Sequence, residues 1–165
     1  MKTPFEINLE GKVCVVTGGG GVLCSAFAKA LAANGAKVAV LDLRVENANK
    51  VAEEINAEGG TAIGVEANVL KKDSLEKARQ EILEKFGTCD ILLNGAGGNH
   101  PKGTTSNEIL KPEDLEKEGI TTFFDLDPDG IQFVFNLNFI GTLLPTQIFS
   151  RDMIGKKGAV IINIS

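Results

Sequence analysis

Lys12-Val13-Cys14-Val15-Val16-Thr17-Gly18-Gly19-Gly20-Gly21-Val22-Leu23 joins a short apolar, β-branched run to four consecutive glycines and then to a stretch rich in Ala and Leu. The run from Lys12 to Val16 has the composition of a strand buried on both faces. Val22 to Asn34 has that of a helix, and Gly35 stands at its stop position. A glycine turn between a buried strand and a helix N-terminus is where a doubly wound sheet holds a dinucleotide's pyrophosphate. The glycines let phosphates approach the backbone, and the helix end supplies N–H donors and a positive dipole end. A tight turn with no ligand is the competing reading. Four glycines in a row weigh against it, because each costs backbone entropy.

Outward from this turn the chain alternates. Lys37 to Leu41 is a second buried strand, and Asp42 follows it, 24 residues after Gly18. An acid about 20 residues beyond the glycine turn accepts hydrogen bonds from an adenosine ribose and repels a 2′-phosphate. That favours NAD over NADP, although Arg44 nearby keeps NADP possible. Glu46 to Glu58 places Ala48, Val51, Ala52 and Ile55 at helical spacing, and Gly59-Gly60 ends it. Thr61 to Ala67 is a third strand. Asp73 to Phe86 is an amphipathic helix with Asp73 as its expected N-cap. Asp90 to Asn94 is a fourth strand and Ala159 to Ile164 a fifth, with a helix from about Asn138 to about Met153 between them. Strands alternating with helices predict an α/β fold: a Rossmann-like, doubly wound parallel sheet of five strands with helices on both faces. The polar segment at about 98–129, with Pro101, Pro112 and Pro128, breaks the rhythm and reads as an insertion.

Composition narrows the function classes. A chain of 165 residues is one domain's worth. With 17 Lys and Arg against 22 Asp and Glu, the net charge of −5 lacks the basic footprint of a nucleic-acid binder. No apolar run nears the ~18 residues of a membrane span, so no membrane partner is expected. Met1 to Lys12 carries no apolar signal core, and Cys14, Cys24 and Cys89 form no CxxC pair. A reduced, cytoplasmic setting with no metal site is the expectation. There is no tyrosine, and His100 is the single histidine.

The motifs Thr17-Gly18, Asn94-Gly95-Ala96-Gly97, Asn138-Phe139-Ile140-Gly141 and Gly158-Ala159-Val160-Ile161-Ile162-Asn163-Ile164-Ser165 resemble the short-chain dehydrogenase/reductase family, in the right order over nearly the whole chain. The resemblance implies a single dinucleotide-binding domain over 1–165, of which this is the N-terminal portion. It implies cofactor contacts from Gly18, Gly20, Gly21, Val22, Leu23, Asp42, Leu43, Ala67, Asn68, Val69, Asn94, Gly95, Ala96 and Gly97. It also makes Asn138 the catalytic asparagine, which helps hold a proton-relaying water. A local backbone partner is the bland alternative for Asn138. Asn68-Val69 stands where the family usually has Asp-Val. In the family's TGxxxGxG pattern, Val22 and Cys24 take the second and third glycines, so the turn reads as a variant. Cys24, near a helix N-terminus, is read either as a thiol of lowered pKa or as a small packing residue, packing being preferred.

The family's catalytic serine, Tyr-x-x-x-Lys motif and last two strands would lie beyond Ser165, so the chain as given is expected to be inactive. Ser165 itself as catalyst is the alternative. Between Gly97 and Asn138 lie 40 residues, opened by Gly98-Asn99-His100-Pro101-Lys102. With the glycine turn, this resembles the D-mannonate oxidoreductase (fructuronate reductase) branch. That implies NAD(P)-linked hydride transfer between a hydroxy and a keto sugar acid, in a homo-oligomer when complete. Asn99, His100 and Lys102 are the candidates for holding this small-molecule substrate. Phe133, like Phe123, Phe124 and Phe135, reads as packing the insertion onto the body. The alternatives are another carbonyl reductase, of gluconate or 3-oxoacyl type, or a non-catalytic nucleotide-binding protein.

Overall fold

The computed structural model describes residues 7–164; Ser165 lies outside them. Five strands form one parallel sheet in the order β3-β2-β1-β4-β5, with β1 Val13–Thr17, β2 Lys37–Asp42, β3 Thr61–Glu66, β4 Ile91–Asn94 and β5 Val160–Asn163. Because β1 is central and pairs with both β2 and β4, the chain reverses direction across the sheet beside β1. Ligands of open α/β sheets bind at this reversal, outside the carboxyl ends of the strands.

Helices α1 Val22–Ala33 and α2 Val45–Ala57 cover one face. There Cys14, Val16, Val38 and Val40 meet Ala28, Ala32, Ala48 and Ile55. On the other face Val13, Val15, Ala39, Leu41 and Leu92 meet Leu75 and Ile82 of α3 Lys72–Lys85 and Ile148 and Phe149 of α5 Gly141–Phe149. Alternation along each strand thus feeds two cores, and β1 is buried at all of its positions. Asp73 is not the N-cap of α3. Lys71 holds that place without a side-chain bond, and Asp73 sits in the first turn, where its charge favours the dipole.

The insertion is built from short 3₁₀ turns at Pro101–Gly103, Pro112–Leu115 and Phe123–Asp125. The helix expected from about Asn138 begins ten residues earlier. Asp127 caps α4, Pro128–Phe135, by accepting from the Asp129 N–H at 2.9 Å, with Pro128 in the first turn. Asn136–Ile140 is a π-helical turn joining α4 to α5.

Candidate functional site

The glycine turn shows why four glycines stand together. Gly18 has φ +64°, and a Cβ on it would lie 2.8 Å from Ala96 Cα. A Cβ on Gly19 would lie 2.6 Å from Val40 Cγ1, and one on Gly20 would lie 2.6 Å from Asn47 Cβ and 2.8 Å from Asp42 Oδ2. Three of the four are therefore required by the protein's own packing. Gly21, the N-cap of α1, differs: its Cβ would meet just the Gly18 carbonyl, at 3.2 Å, and the residue lines an open cleft.

That cleft holds about 560 Å³ and lies at the carboxyl ends of the strands. Gly18, Gly21, Val22 and Leu23 line it past β1, Asp42 and Leu43 at the end of β2, Ala67, Asn68 and Val69 past β3, and Gly95, Ala96 and Gly97 past β4. Its apolar rim is exposed, Val22 at 95% and Leu43 at 64%. Both oxygens of Asp42 are already engaged: Oδ2 accepts from the Gly20 N–H at 3.1 Å and Oδ1 from the Arg44 N–H at 3.0 Å. A carboxylate has about four acceptor sites, so capacity remains on the side that lines the cleft. Asn68 Oδ1 accepts from the Leu70 N–H at 2.9 Å, which leaves its amide NH₂ to donate.

Thr17 couples the glycine turn to the Gly95-Ala96 loop. Its buried hydroxyl accepts from the Gly95 and Ala96 N–H groups at 3.1 and 3.2 Å. Cys24 fills the space under Gly95, where a Cβ would lie 2.2 Å from its Sγ. Burial, with Asp42 adding to it, pushes this thiol's pKa up, so the packing role stands and the lowered pKa does not.

Several expected contact residues lie elsewhere. Gly20 is packed behind the turn. Asn94 is buried in the sheet, its Nδ2 donating to Thr146 Oγ1 and Asn163 Oδ1, each at 2.9 Å, while its buried Oδ1 has no partner among the described residues. Asn138 sits behind the Gly97-Gly98 loop. Its Oδ1 accepts from the Gly98 N–H at 3.1 Å, and its Nδ2 donates to the Gly98 and Val134 carbonyls, both at 2.8 Å. The asparagine holds that loop with both amide N–H groups engaged, and its Oδ1 keeps one acceptor site. Asn99 is exposed in the segment leading into the first 3₁₀ turn. Lys102 is ion-paired with Asp127 at 3.2 Å.

Four lining residues escaped the sequence reading: Cys24, Leu70, Phe133 and Leu137. Phe133 of α4 and Leu137 of the π-turn that continues it are four apart on a helical stretch that starts ten residues before its expected position. The pair Asp127-Pro128, an N-cap followed by proline at the first helical position, was the signal that would have found them.

The short chain dehydrogenase family model matches residues 12–165. An uncharacterized oxidoreductase of Haemophilus influenzae is 58% identical over 158 residues, covering 96% of this chain and 55% of that protein. The Bacillus subtilis uncharacterized oxidoreductase UxuB is 46% identical over 162 residues, covering 98% and 57%. The 3-oxoacyl-[acyl-carrier-protein] reductase of Aquifex aeolicus is 36% identical, covering 98% and 58%. A crystal structure of a candidate D-mannonate oxidoreductase from Haemophilus influenzae with bound NAD superposes with TM-score 0.90 at 56% identity, covering 96% of this chain and 56% of that one. The chain thus spans a little over half the length of the relatives it matches.

Proposed function

The chain belongs to the short-chain dehydrogenase family, and from that premise we propose that the protein is an NAD-dependent oxidoreductase interconverting a hydroxy and a keto sugar acid. The observation that carries the cofactor reading is the Asp42 carboxylate on the wall of the cleft, tied to the glycine turn at Gly20. When bound, the nicotinamide supplies the hydride. The chain's own residues bind and orient. The Gly21 end of α1 approaches the phosphates, Asp42 accepts from the adenosine ribose, and Asn68 donates beside the adenine. Asn138 holds the Gly97-Gly98 loop at the opposite end of the cleft. The sugar-acid class is supported by similarity to the Haemophilus influenzae structure and by the insertion that opens with Gly98-Asn99-His100.

Unpaired, buried cysteines fit a reduced cytoplasmic setting, and no helix among the described residues is long and apolar enough to cross a membrane. A homo-oligomer completes the reading.

Calorimetric titration of the full-length gene product with NAD and NADP tests the cofactor. NAD is expected to bind at least about tenfold more tightly, one close charge repulsion being of that order. Tighter NADP binding overturns it. The substrate class is tested on the full-length gene product with sugar acids, gluconate-type acids and 3-oxoacyl thioesters; a sugar acid is expected to give the highest kcat/KM.

A further inference from the structure

The cleft has two chemically distinct ends. The strand order places Asp42 and Ala67 to Val69 at the ends of β2 and β3, and Gly97 past the end of β4. Phe133 of α4 lines this same cleft, the residue being 44% exposed. Its ring lies 5.0 Å from that of His100, tilted by 52°. We infer that His100, packed against this lining ring at the insertion edge of the cleft, reads the substrate together with Phe133, its Nε2–H donating to a substrate oxygen. This rests on the NAD reading above, which puts the adenosine at Asp42 and leaves the β4 end for the reacting groups.

The tautomer follows from a hydrogen bond. His100 Nδ1 accepts from the Lys102 N–H at 3.2 Å, so a neutral imidazole carries its proton on Nε2. The position of the pair is fixed by backbone. Gly103 and Gly130 cross so closely that a Cβ on Gly130 would lie 2.6 Å from the Lys102 carbonyl carbon. The Asp127 N–H donates to the Lys102 carbonyl at 3.0 Å. Lys102 Nζ is taken by the Asp127 carboxylate, the same group that caps α4. Lys102 is therefore a strut between the insertion and α4, while His100 Nε2 has no protein partner among the described residues. Beside an apolar ring, a donor to a carboxylate or hydroxyl oxygen is stronger than in water and rejects a substrate lacking that oxygen.

The test uses the full-length gene product and a panel of sugar acids, the matching neutral polyols and a 3-hydroxyacyl thioester. His100→Phe keeps a ring against Phe133 and removes the donor. His100→Asn retains an acceptor for the Lys102 N–H and an NH₂ donor. Phe133→Leu removes the ring. For the best substrate, His100→Phe is expected to raise KM about tenfold or more, the loss of one hydrogen bond to a charged group, with NAD affinity unchanged. His100→Asn is expected to restore KM to within about threefold, and Phe133→Leu to narrow the preference for the best over the second substrate. The inference is overturned if His100→Phe leaves KM unchanged, if His100→Asn rescues nothing, if NAD affinity falls as far as KM rises, or if no panel member is turned over. A best substrate that is not a sugar acid sinks the sugar-acid reading, while the response of KM to the His100 variants still decides the role of His100.

Discussion

Cys14 and Cys89 are 0% and 1% exposed, and burial pushes both thiols from an ordinary 9.0 to about 12. Between those values the unfolded chain releases thiol protons that the folded chain keeps. The unfolded state then binds fewer protons, and stability falls as pH rises, by about 1.4 kcal/mol per pH unit for each thiol. Urea midpoints at pH 8, 9 and 10 are expected to decline from pH 9 upward, and Cys14→Val to flatten the decline; equal slopes in both proteins would refute this. Asp42 makes a second residue-scale prediction. Its carboxylate braces Gly20 and Arg44 as well as facing the cleft, so Asp42→Ala is expected to weaken NAD binding and also destabilise the turn by about 1 kcal/mol. Asp42→Asn, which keeps an acceptor and removes the charge, is expected to narrow the NAD preference over NADP with less loss of stability. Calorimetry and urea unfolding on the two variants check both parts. The charge and position of Asp42 were legible in the sequence. Its internal bonds were not, because they depend on how a four-glycine turn folds back over β2.

At the scale of elements, every strand was legible because parallel strands are short runs rich in Val, Ile and Leu set off by glycine, and β5 keeps that composition although it is exposed. The helix after the insertion was not. Asp127, Pro128, Asp129 and Gly130 read as loop residues by composition, yet the first two are a cap and a first-turn proline. Gly130 is buried against Lys102 and Gly103, and this contact seats the insertion on α4. Gly130→Ala is expected to cost about 1–3 kcal/mol by overpacking, although alanine is the better helix former. The alternative outcome, a gain near 1 kcal/mol in chemical denaturation, would mean the insertion lifts away freely. The π-turn over Asn136–Ile140 had no sequence signature; it arises where Asn138 reaches across to Gly98.

For the whole molecule, the two faces of the sheet are unequally covered. α3 and α5 reach across to β4 on one side, and Arg79 of α3 is ion-paired with Asp152 just past α5. On the other side α1 and α2 cover β1 to β3. Leu93, Ile162 and Ile164 instead line an apolar groove of about 310 Å³ with Leu9, Phe27 and Leu31. β5 is the outer strand on that side among the described residues, and Val160, Ile161 and Ile162 are 44%, 38% and 40% exposed. An apolar, uncharged edge strand of high β-propensity is a template for pairing with another chain. The 165 residues made by themselves are therefore expected to associate at micromolar concentration, seen as a rise in light scattering. Ile162→Lys places a charge in the groove and on the edge, where it opposes strand addition, and is expected to shift the population toward monomer. Ile154→Lys, at a side chain 83% exposed outside the strand, is the control and is expected to change little. Association equal in both variants would locate the sticky surface elsewhere, and the exposed helical aromatics Phe135 and Phe139 would be the next candidates.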